Sequence, residues 1–403
     1  MLGRLILGVA FSMALAIAQS GGNLSHIPIS CTPPSLWIAG DQPPQNQLYV
    51  CDANGVYASV ATGVEVNPPD PPPPPPPPPT DRDLPAVPSI GAYLGIETNN
   101  GYPMLTQLES LFGRQFAILH TNWNDGYQYS AGGYVKSINA IHDMIPMLTF
   151  ATTTRTLAEI KTNIINPKDR RPNYQNSPDS LFTSWADGLK SYGKPVFLRF
   201  NHEMNGNWYS YCFQPNESNC KDKDTGVPQT AADFVAAWRH VHDIFVREGA
   251  TNVAWVWCPN IVQGAGPHQA PMSSYYPGDA YVDWTCYDGY NWNNPPKNNQ
   301  SNDSFTTITS QTYNQIKALA PDKPMMIGEF NTDLQGDSSG NKKGAWLIDA
   351  YQKMQTNFPL IKAAILFDVD TSNAGQSDWR VENTTGGTNG LKQAIAPAYF
   401  LSH

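Results

Sequence analysis

From about residue 90 to the C-terminus, short apolar runs alternate with longer segments in which apolar residues recur at helical spacing. Ala231–Glu248 shows this spacing clearly, because Phe234, Trp238, Val241 and Phe245 fall on one side of a helix. The short runs predict strands at Ile90–Gly95, Phe116–His120, Ile145–Phe150, Pro195–Phe200, Val253–Cys258, Tyr281–Tyr287, Met325–Glu329 and Ala363–Phe367. The longer segments predict helices at Tyr102–Phe112, Val135–His142, Ser180–Tyr192, Ala231–Glu248, Thr309–Leu319, Lys343–Gln355 and Leu391–Leu401.

This alternation of strands and helices favours an α/β fold of the (β/α)8 barrel type, the TIM barrel. A doubly wound open sheet is the structural alternative. Polar and aromatic residues follow nearly every predicted strand, which is expected when the strand ends meet at one ring. The segment Asn260–Gly278 fits the pattern poorly, and we expect a long loop there.

The residues before the barrel divide by composition. Residues 1–18 carry one early positive charge, a short apolar core and a small-x-small end, which predicts a cleaved signal peptide and a secreted protein. An uncleaved N-terminal anchor is the alternative. Residues 67–83 contain the unbroken run Pro71–Pro79, which predicts a semi-rigid polyproline II linker. Residues 19–66 predict a small, β-rich module, either a carbohydrate-binding unit or a disulfide-stapled spacer, and residues 84–403 predict the barrel.

The six cysteines are candidates for disulfides, because export would place them in an oxidising compartment. Their spacings do not resemble those of zinc ligands. Cys258 and Cys286 each follow a predicted strand and are either paired or free buried thiols. Two local disulfides are expected, Cys31 with Cys51 and Cys212 with Cys220.

Composition limits the partners of the chain. The 403 residues carry a net charge of -9, which disfavours nucleic acid and anionic membranes. Charged residues make up only 15%, while 11 Trp and 19 Tyr supply many aromatic rings. Aromatic rings and amides suit neutral sugars better than charged partners. The sequence demands no metal or other cofactor, so we expect none, and we expect a monomer that binds no membrane once the signal peptide is removed.

Two carboxylates stand where predicted strands end. Glu203 follows the fourth strand, within the segment Phe197–Trp208, and Glu329 ends the seventh. Active sites of such barrels lie at the C-terminal ends of the strands, so both side chains are expected on one rim. Double-displacement cleavage of a glycosidic bond requires two carboxyl groups about 5–5.5 Å apart. The pair therefore predicts a glycoside hydrolase, with Glu203 as general acid/base and Glu329 as nucleophile.

Neighbouring residues are candidates to set the protonation states of this pair. Burial among aromatic residues, Trp208 and Trp257 among them, would help Glu203 keep its proton near neutral pH. Arg199 and Tyr290 are candidates to donate to the nucleophile and keep it ionised.

Other polar residues are less specific. His120 follows the second strand, and it either lines the cleft or is a satisfied core histidine. Asp368, Asp370 and Asp378 form an acidic cluster near the last strand. Solvated loop carboxylates are a better interpretation of this cluster than a cation site.

A series of motifs resembles glycoside hydrolase family 26. The motifs are, in order, His202–Trp208, Tyr275–Trp284, Asp288–Trp292, Gly328-Glu329-Phe330 and Asp378-Trp379-Arg380. The resemblance covers roughly Ile90 to the C-terminus. It implies a (β/α)8 barrel, retention of configuration and endo-acting hydrolysis of a β-linked polysaccharide. Most members of the family resemble β-1,4-mannanases, and others cleave mixed-linkage β-glucan or β-1,3-xylan.

The resemblance also implies roles for individual residues. It assigns the acid/base and the nucleophile to the same two glutamates. It places His202 in contact with the sugar at the cleavage subsite, and it has the Tyr290 hydroxyl bind the nucleophile. Trp208 and Trp257 would supply stacking surfaces.

Two departures from the family pattern concern the substrate. Many family mannanases carry a Trp pair soon after the acid, whereas Tyr209-Ser210-Tyr211 follows Trp208 here. Leu366 stands in the eighth strand where an aromatic platform is expected, and Phe367 is its candidate replacement.

These features together predict a secreted, retaining endo-β-glycanase. The first choice of substrate is β-1,4-mannan, as mannan, glucomannan or galactomannan. Mixed-linkage β-1,3-1,4-glucan and β-1,3-xylan are the alternative plant or microbial substrates. A carbohydrate-binding surface protein without activity is the alternative outside the enzymes, although it would need no carboxylate pair.

Overall fold

The chain divides into two compact units, residues 1–76 and 77–403, and each is described by itself. Most of the predicted linker, most of the predicted signal peptide and the expected Cys31–Cys51 disulfide lie outside the described residues. A computed structural model describes the backbone of five short strands before residue 67, and residues 82–402 except 100, 126–130, 154, 164–176, 215–216, 223–224, 263–269, 293–302 and 335.

The first unit contains one sheet of short strands. The strands are hydrogen-bonded in sequence order, the first two in parallel and the others antiparallel. They are β1 (Ala18–Gly21), β2 (Leu36–Ala39), β3 (Gln47–Cys51), β4 (Tyr57–Ser59) and β5 (Glu65–Val66).

The second unit is built around eight parallel strands. The last of them pairs with the first, so the strands close into a barrel. This confirms the predicted (β/α)8 barrel. The strands are β6 (Ala92–Thr98), β7 (Ile118–Asn124), β8 (Ile145–Ala151), β9 (Val196–Phe200), β10 (Val253–Trp257), β11 (Trp284–Asn291), β12 (Met325–Thr332) and β13 (Ile361–Asp368). A short strand β14 (Phe400–Leu401) adds to the beginning of β6.

Helices surround the barrel. They are α1 (Tyr102–Phe112), α2 (Ala131–Ile141), α3 (Leu157–Thr162), α4 (Pro178–Tyr192), α5 (Ala231–Glu248), α6 (Phe305–Leu319), α7 (Asn341–Thr356) and α8 (Thr385–Ile395). Between β10 and β11, the described residues contain only the single-turn 3-10 helices Met272–Ser274 and Asp279–Tyr281. This agrees with the loop predicted for residues 260–278.

Helix α5 shows how local sequence sets the ends of an element. Thr230 Oγ1 accepts the N–H of Asp233 at 3.1 Å, and Asp233 Oδ2 accepts the N–H of Thr230 at 2.9 Å. These reciprocal bonds form a capping box. At the other end Gly249 adopts φ 74°, a left-handed conformation that glycine takes without steric cost.

Two of the differences between the structure and the predicted elements concern helices. Residues Leu157–Thr162 form a helix that the sequence pattern missed, because six residues are too few to show a helical period. The final helix was predicted to span Leu391–Leu401, and this is wrong at its end. The helix stops at Ile395, shortly before Pro397, which cannot continue it, and Phe400–Leu401 forms a strand instead.

Side chains alternate along the strands between two cores. In β9, Phe197 belongs to the core inside the barrel, whereas Leu198 and Phe200 belong to the core between barrel and helices. The barrel interior is packed with apolar side chains, and the rings of Phe197 and Trp284 lie 5.1 Å apart. Arg199, two residues after Phe197, therefore also points inward, toward the C-terminal rim.

Two disulfides lie in the barrel unit. The predicted Cys212–Cys220 bridge is confirmed, and Cys258 is paired with Cys286 rather than free. Within the described part of the chain, no helix combines the length and the apolar character that crossing a membrane requires.

Candidate active site

Glu203 stands on a strained turn directly after β9. Its φ is 52° and that of Asn201 is 45°, values that residues other than glycine rarely adopt and that cost of order 1–3 kcal/mol. The Glu203 N–H donates to the Cys258 carbonyl at 2.7 Å, and the Asn201 N–H donates to the Phe150 carbonyl at 3.0 Å. Bonds to both neighbouring strands therefore hold the turn that presents this carboxyl group.

The Glu203 carboxyl group is buried and receives two N–H donors. Asn260 Nδ2 donates to Oε1 at 2.6 Å, and Trp208 Nε1 donates to Oε2 at 2.7 Å. Burial, followed by the charge of nearby Glu329, raises the pKa of Glu203 to about 7, although both donors act in the opposite direction. A carboxyl group with this pKa can hold a proton near neutral pH, as a general acid must.

Glu329 faces the barrel interior because of an irregularity in β12. Tyr287 pairs with Ile327 and Asp288 pairs with Glu329, so Gly328 is an extra residue in the strand. Ile327 points outward, and strict alternation would turn Glu329 outward as well. The bulge at Gly328 instead places Glu329 on the same side as Asp288.

Arg199 connects the carboxylates of the site. Its Nη1 donates to both oxygens of Asp288 at 2.7 and 2.6 Å, and its Nη2 donates to Glu329 Oε1. Its Nε donates to Thr149 Oγ1 at 2.6 Å. The fully buried guanidinium remains charged, so it compensates the negative charge of the nucleophile candidate. Arg199 thus lies where the sequence analysis expected a donor to Glu329.

Tyr290 is the second donor to Glu329. Its hydroxyl donates to Oε2. Burial, followed by the negative charge of Glu329, raises the pKa of Tyr290 well above its usual range, so the hydroxyl keeps its proton. The Tyr290 ring lies 5.4 Å from that of Phe367 and 4.9 Å from that of Trp379.

His202 and His120 are both buried in this site. His202 directly precedes Glu203 in the sequence, and its Nε2 lies 3.0 Å from the Tyr209 hydroxyl. His120 is fully buried, with Nε2 at 2.7 Å from Thr149 Oγ1. Of the two interpretations of His120, the structure therefore favours the core histidine, and a direct contact with substrate does not fit this burial. Burial, followed by the charge of Arg199, lowers the pKa of both imidazoles well below the usual value, so both are neutral.

The two tryptophans expected to stack on sugar differ in position. The Trp208 side chain is 41% exposed, and its indole N–H donates to the candidate acid. Trp257 is fully buried, because its neighbours Val256 and Cys258 point into the barrel and Trp257 must point out toward the helices. Its N–H donates to the Tyr275 carbonyl at 3.1 Å. The expectation that Trp257 forms a stacking surface does not fit this position.

The alternation of side chains along β13, the eighth barrel strand, also determines the directions of Leu366 and Phe367. Leu366 is fully buried and packs in the core between barrel and helices. Phe367 is half-buried and lies beside Tyr290. The aromatic residue at this point of the rim is therefore Phe367.

The acidic cluster near β13 is only partly solvated. Arg380 Nη2 lies 3.0 Å from Asp370 Oδ2 and 2.6 Å from Asp378 Oδ2, so these two carboxylates are ion-paired. Asp368 is buried and accepts the N–H of Val381 at 2.7 Å. The expectation of a solvated carboxylate is wrong for Asp368.

Sequence reasoning gave no role to several polar residues of the site, namely Glu97, Thr149, Asp288 and Asn260. Asp288 stands two residues before Tyr290, so strand alternation alone would have placed both inward. Glu97 was missed because the predicted first strand ended at Gly95, three residues before the observed end at Thr98. Asn260 lies in a loop and left no periodic signal.

Two carboxyl groups at the C-terminal rim of a (β/α)8 barrel, one with a raised pKa and one held by donors, match the groups that cleavage of a glycosidic bond requires. The model of the family described as Glycosyl hydrolase family 26 matches residues 147–339. This match confirms the predicted resemblance to that family.

Individual proteins agree with this result. The chain is 28% identical over 311 residues to Endoglucanase H of Acetivibrio thermocellus, covering 76% of this chain and 30% of that protein. It is 30% identical over 155 residues to Mannan endo-1,4-beta-mannosidase A and B of Caldalkalibacillus mannanilyticus, covering 37% of this chain and 25% of that protein. The chain therefore spans less than a third of these two curated relatives.

The fold has relatives among solved structures. A mannanase of Bacillus subtilis superposes with a TM-score of 0.53 at 16% identity, over 78% of this chain and 88% of that one. At this identity the likeness concerns the fold. The family match and the curated relatives concern the sequence of the barrel, and the solved structure concerns its fold.

Proposed function

We propose that this protein is a retaining endo-β-glycanase that hydrolyses β-1,4-mannan, with Glu203 as general acid/base and Glu329 as nucleophile. The observation that carries the proposal is the difference between the two carboxyl groups. Burial raises the pKa of Glu203 to about 7, whereas Glu329 receives a guanidinium and a phenol as donors. One group is therefore suited to give a proton and the other to stay anionic.

The proposed reaction has two steps. In the first, Glu203 protonates the glycosidic oxygen while a Glu329 oxygen attacks the anomeric carbon, and a covalent glycosyl-enzyme forms. In the second, Glu203 acts as base on a water molecule, whose oxygen displaces Glu329 from the sugar. Arg199 and Tyr290 hold Glu329 in place throughout. His202 is proposed to contact the sugar at the cleavage subsite.

Binding of a polymer is supported next to the acid. A cavity of about 560 Å³ lies beside Trp208 and Tyr209. The exposed ring of Trp208 reaches Glu203, which protonates the leaving oxygen, so we assign this cavity to the leaving-group side of the substrate. Sugar rings stack readily on aromatic faces of this kind.

The mannan assignment is supported by the relatives named for mannan hydrolysis. Mixed-linkage β-glucan is a second candidate, because Endoglucanase H matches over a longer stretch of this chain. We further propose that the apolar segment in residues 1–18 directs secretion.

The test is reducing-sugar release by the purified protein on a polysaccharide panel. The panel contains mannan, glucomannan, galactomannan, barley β-glucan, lichenan and β-1,3-xylan. Release from the mannans supports the proposal. Release only from the glucans would change the proposed substrate and leave the proposed mechanism unchanged. Binding without release from any member would contradict an enzymatic role. The variant Glu329→Ala, which lacks the nucleophile, is the control for contaminating activity.

A further inference from the structure

A buried glutamate at the first barrel strand contacts the machinery that holds the nucleophile. Glu97 on β6 is in register with His120 on β7, and its Oε2 lies 2.5 Å from His120 Nδ1. Its Oε1 accepts a hydrogen bond from Asn122 Nδ2 at 2.6 Å. Glu97 is only 7% exposed, and the proposed reaction gives it no role.

The contacts of His120 determine which of its nitrogens carries the proton. His120 Nε2 lies 2.7 Å from Thr149 Oγ1 and 3.2 Å from Arg199 Nη2. A guanidinium donates and never accepts, so Nε2 has to be an acceptor. Because the imidazole is neutral, its proton is on Nδ1, which faces Glu97. The carboxylate therefore selects the tautomer that can accept from Arg199.

We propose that Glu97 is a positioning residue for the nucleophile, which holds His120 in its Nδ1–H tautomer and thereby keeps Arg199 directed at Glu329. The charge of Glu97 further offsets part of the field that Arg199 exerts on the two catalytic carboxyl groups. This inference rests on the proposed glycosidase function.

The charge of Glu97 gives the proposal a consequence for pH dependence. The charged and titratable groups around Glu97 are His120 from β7, Arg199 from β9 and Glu329 from β12, whose carboxylate lies within 4.8 Å, with Asp288 from β11 also interacting with it. Its register partner on β13 is Phe367. Burial raises the pKa of Glu97 to about 7, against the lowering effect of Arg199. Glu97 therefore ionises in the same range as Glu203. With Glu97 neutralised, one negative charge fewer lies near Arg199 and Glu203, so the anion of Glu203 should be favoured and its pKa lowered.

The variant Glu97→Gln tests the effect of Glu97 on the His120 tautomer and the effect of its charge on the pKa of Glu203. The carboxamide oxygen can stay with Asn122, so the NH2 group faces His120 Nδ1, which must then accept. The imidazole proton moves to Nε2, opposite the donor Arg199. We expect kcat to fall on the order of tenfold with KM nearly unchanged, because the nucleophile is displaced while the outer subsites are intact. The alkaline side of the kcat profile should move to lower pH by about half a unit or more.

Two further variants separate positioning from mere stability. Glu97→Asp keeps the charge and should restore the alkaline side of the profile. Glu109→Gln is the matched control, because Glu109 on α1 is also buried and accepts from a histidine, His142 Nε2, at 2.8 Å. It should reduce thermal stability and leave the pH profile unchanged.

The tautomer of His120 supplies a readout that does not depend on activity. Histidine 15N NMR of the full chain should show Nδ1–H in the wild type and Nε2–H in Glu97→Gln, with His120→Asn to assign the signal. The wild-type tautomer and an unmoved pH profile in Glu97→Gln would overturn the inference. A wild type that is inactive on every polysaccharide would instead refute the proposed function, and the tautomer would still test the role of Glu97. If Glu97→Gln fails to fold, Glu97→Asp is compared directly with the wild type, and an altered tautomer or a pH profile displaced from that of the wild type would overturn the inference.

Discussion

Replacing Glu203 with glutamine should make the stability of the protein less sensitive to pH. In the folded protein burial raises the pKa of Glu203 to about 7, against an ordinary value of 4.5. The native state therefore keeps a proton that the unfolded chain releases above pH 4.5. The stability that this proton contributes is fully present below 4.5 and is lost as the pH rises through 7.

The size of the effect follows from the two pKa values. They differ by about 2.5, from 4.5 to about 7, and each pKa unit corresponds to 1.36 kcal/mol. Ionisation of Glu203 should thus cost the wild type about 3 kcal/mol of unfolding free energy between pH 4.5 and 8. Glutamine has nearly the same shape and does not ionise, so Glu203→Gln should gain about this amount relative to wild type over the same range.

Urea denaturation at about pH 5 and pH 8, followed by tryptophan fluorescence, measures the difference. Asp322→Asn removes an exposed carboxylate and reports the effect of losing one surface charge. A difference between Glu203→Gln and wild type that stays constant with pH would refute the reasoning. So would a variant that becomes relatively less stable at high pH.

Two further substitutions test how Glu329 is held. In Gly328→Ala a Cβ atom would lie 2.6 Å from Asp288 Oδ1 and 2.9 Å from Arg199 Nη1. We expect it to separate that ion pair, with a loss of about 1–3 kcal/mol in urea denaturation and a fall in kcat, and wild-type values for both would contradict the bulge geometry. Tyr290→Phe removes one donor to Glu329 and keeps the ring, so kcat should fall about a hundredfold while unfolding free energy changes by about 1 kcal/mol. An unchanged kcat would show that the hydroxyl plays no part.

Much of the barrel could be predicted from the sequence because its signals are local. The ends of α5 are set by Thr230 and Gly249, which stand next to the apolar period in the chain. Helix α3 and strand β14 could not be predicted, because a six-residue helix and a two-residue strand depend on tertiary contacts rather than on a repeating pattern.

The sequence indicates which residue types form the site, but not the direction in which each side chain points. The two glutamates stand out as carboxylates at strand ends. Whether a rim residue points in or out depends on strand register, and the register of Trp257 makes it a core residue. The bulge at Gly328 reverses the direction of Glu329, and no short sequence pattern predicts this bulge. Asn260 reaches Glu203 from a loop whose path the sequence does not specify.

The central claim is that Glu203 protonates the leaving oxygen of a β-linked polysaccharide. The most direct test compares wild type and Glu203→Ala on glucomannan and on an aryl β-mannoside with an activated leaving group. An activated phenol departs with little protonation, so the account predicts loss of polysaccharide turnover in Glu203→Ala and a much smaller loss on the aryl substrate. Full polysaccharide activity in Glu203→Ala would contradict it.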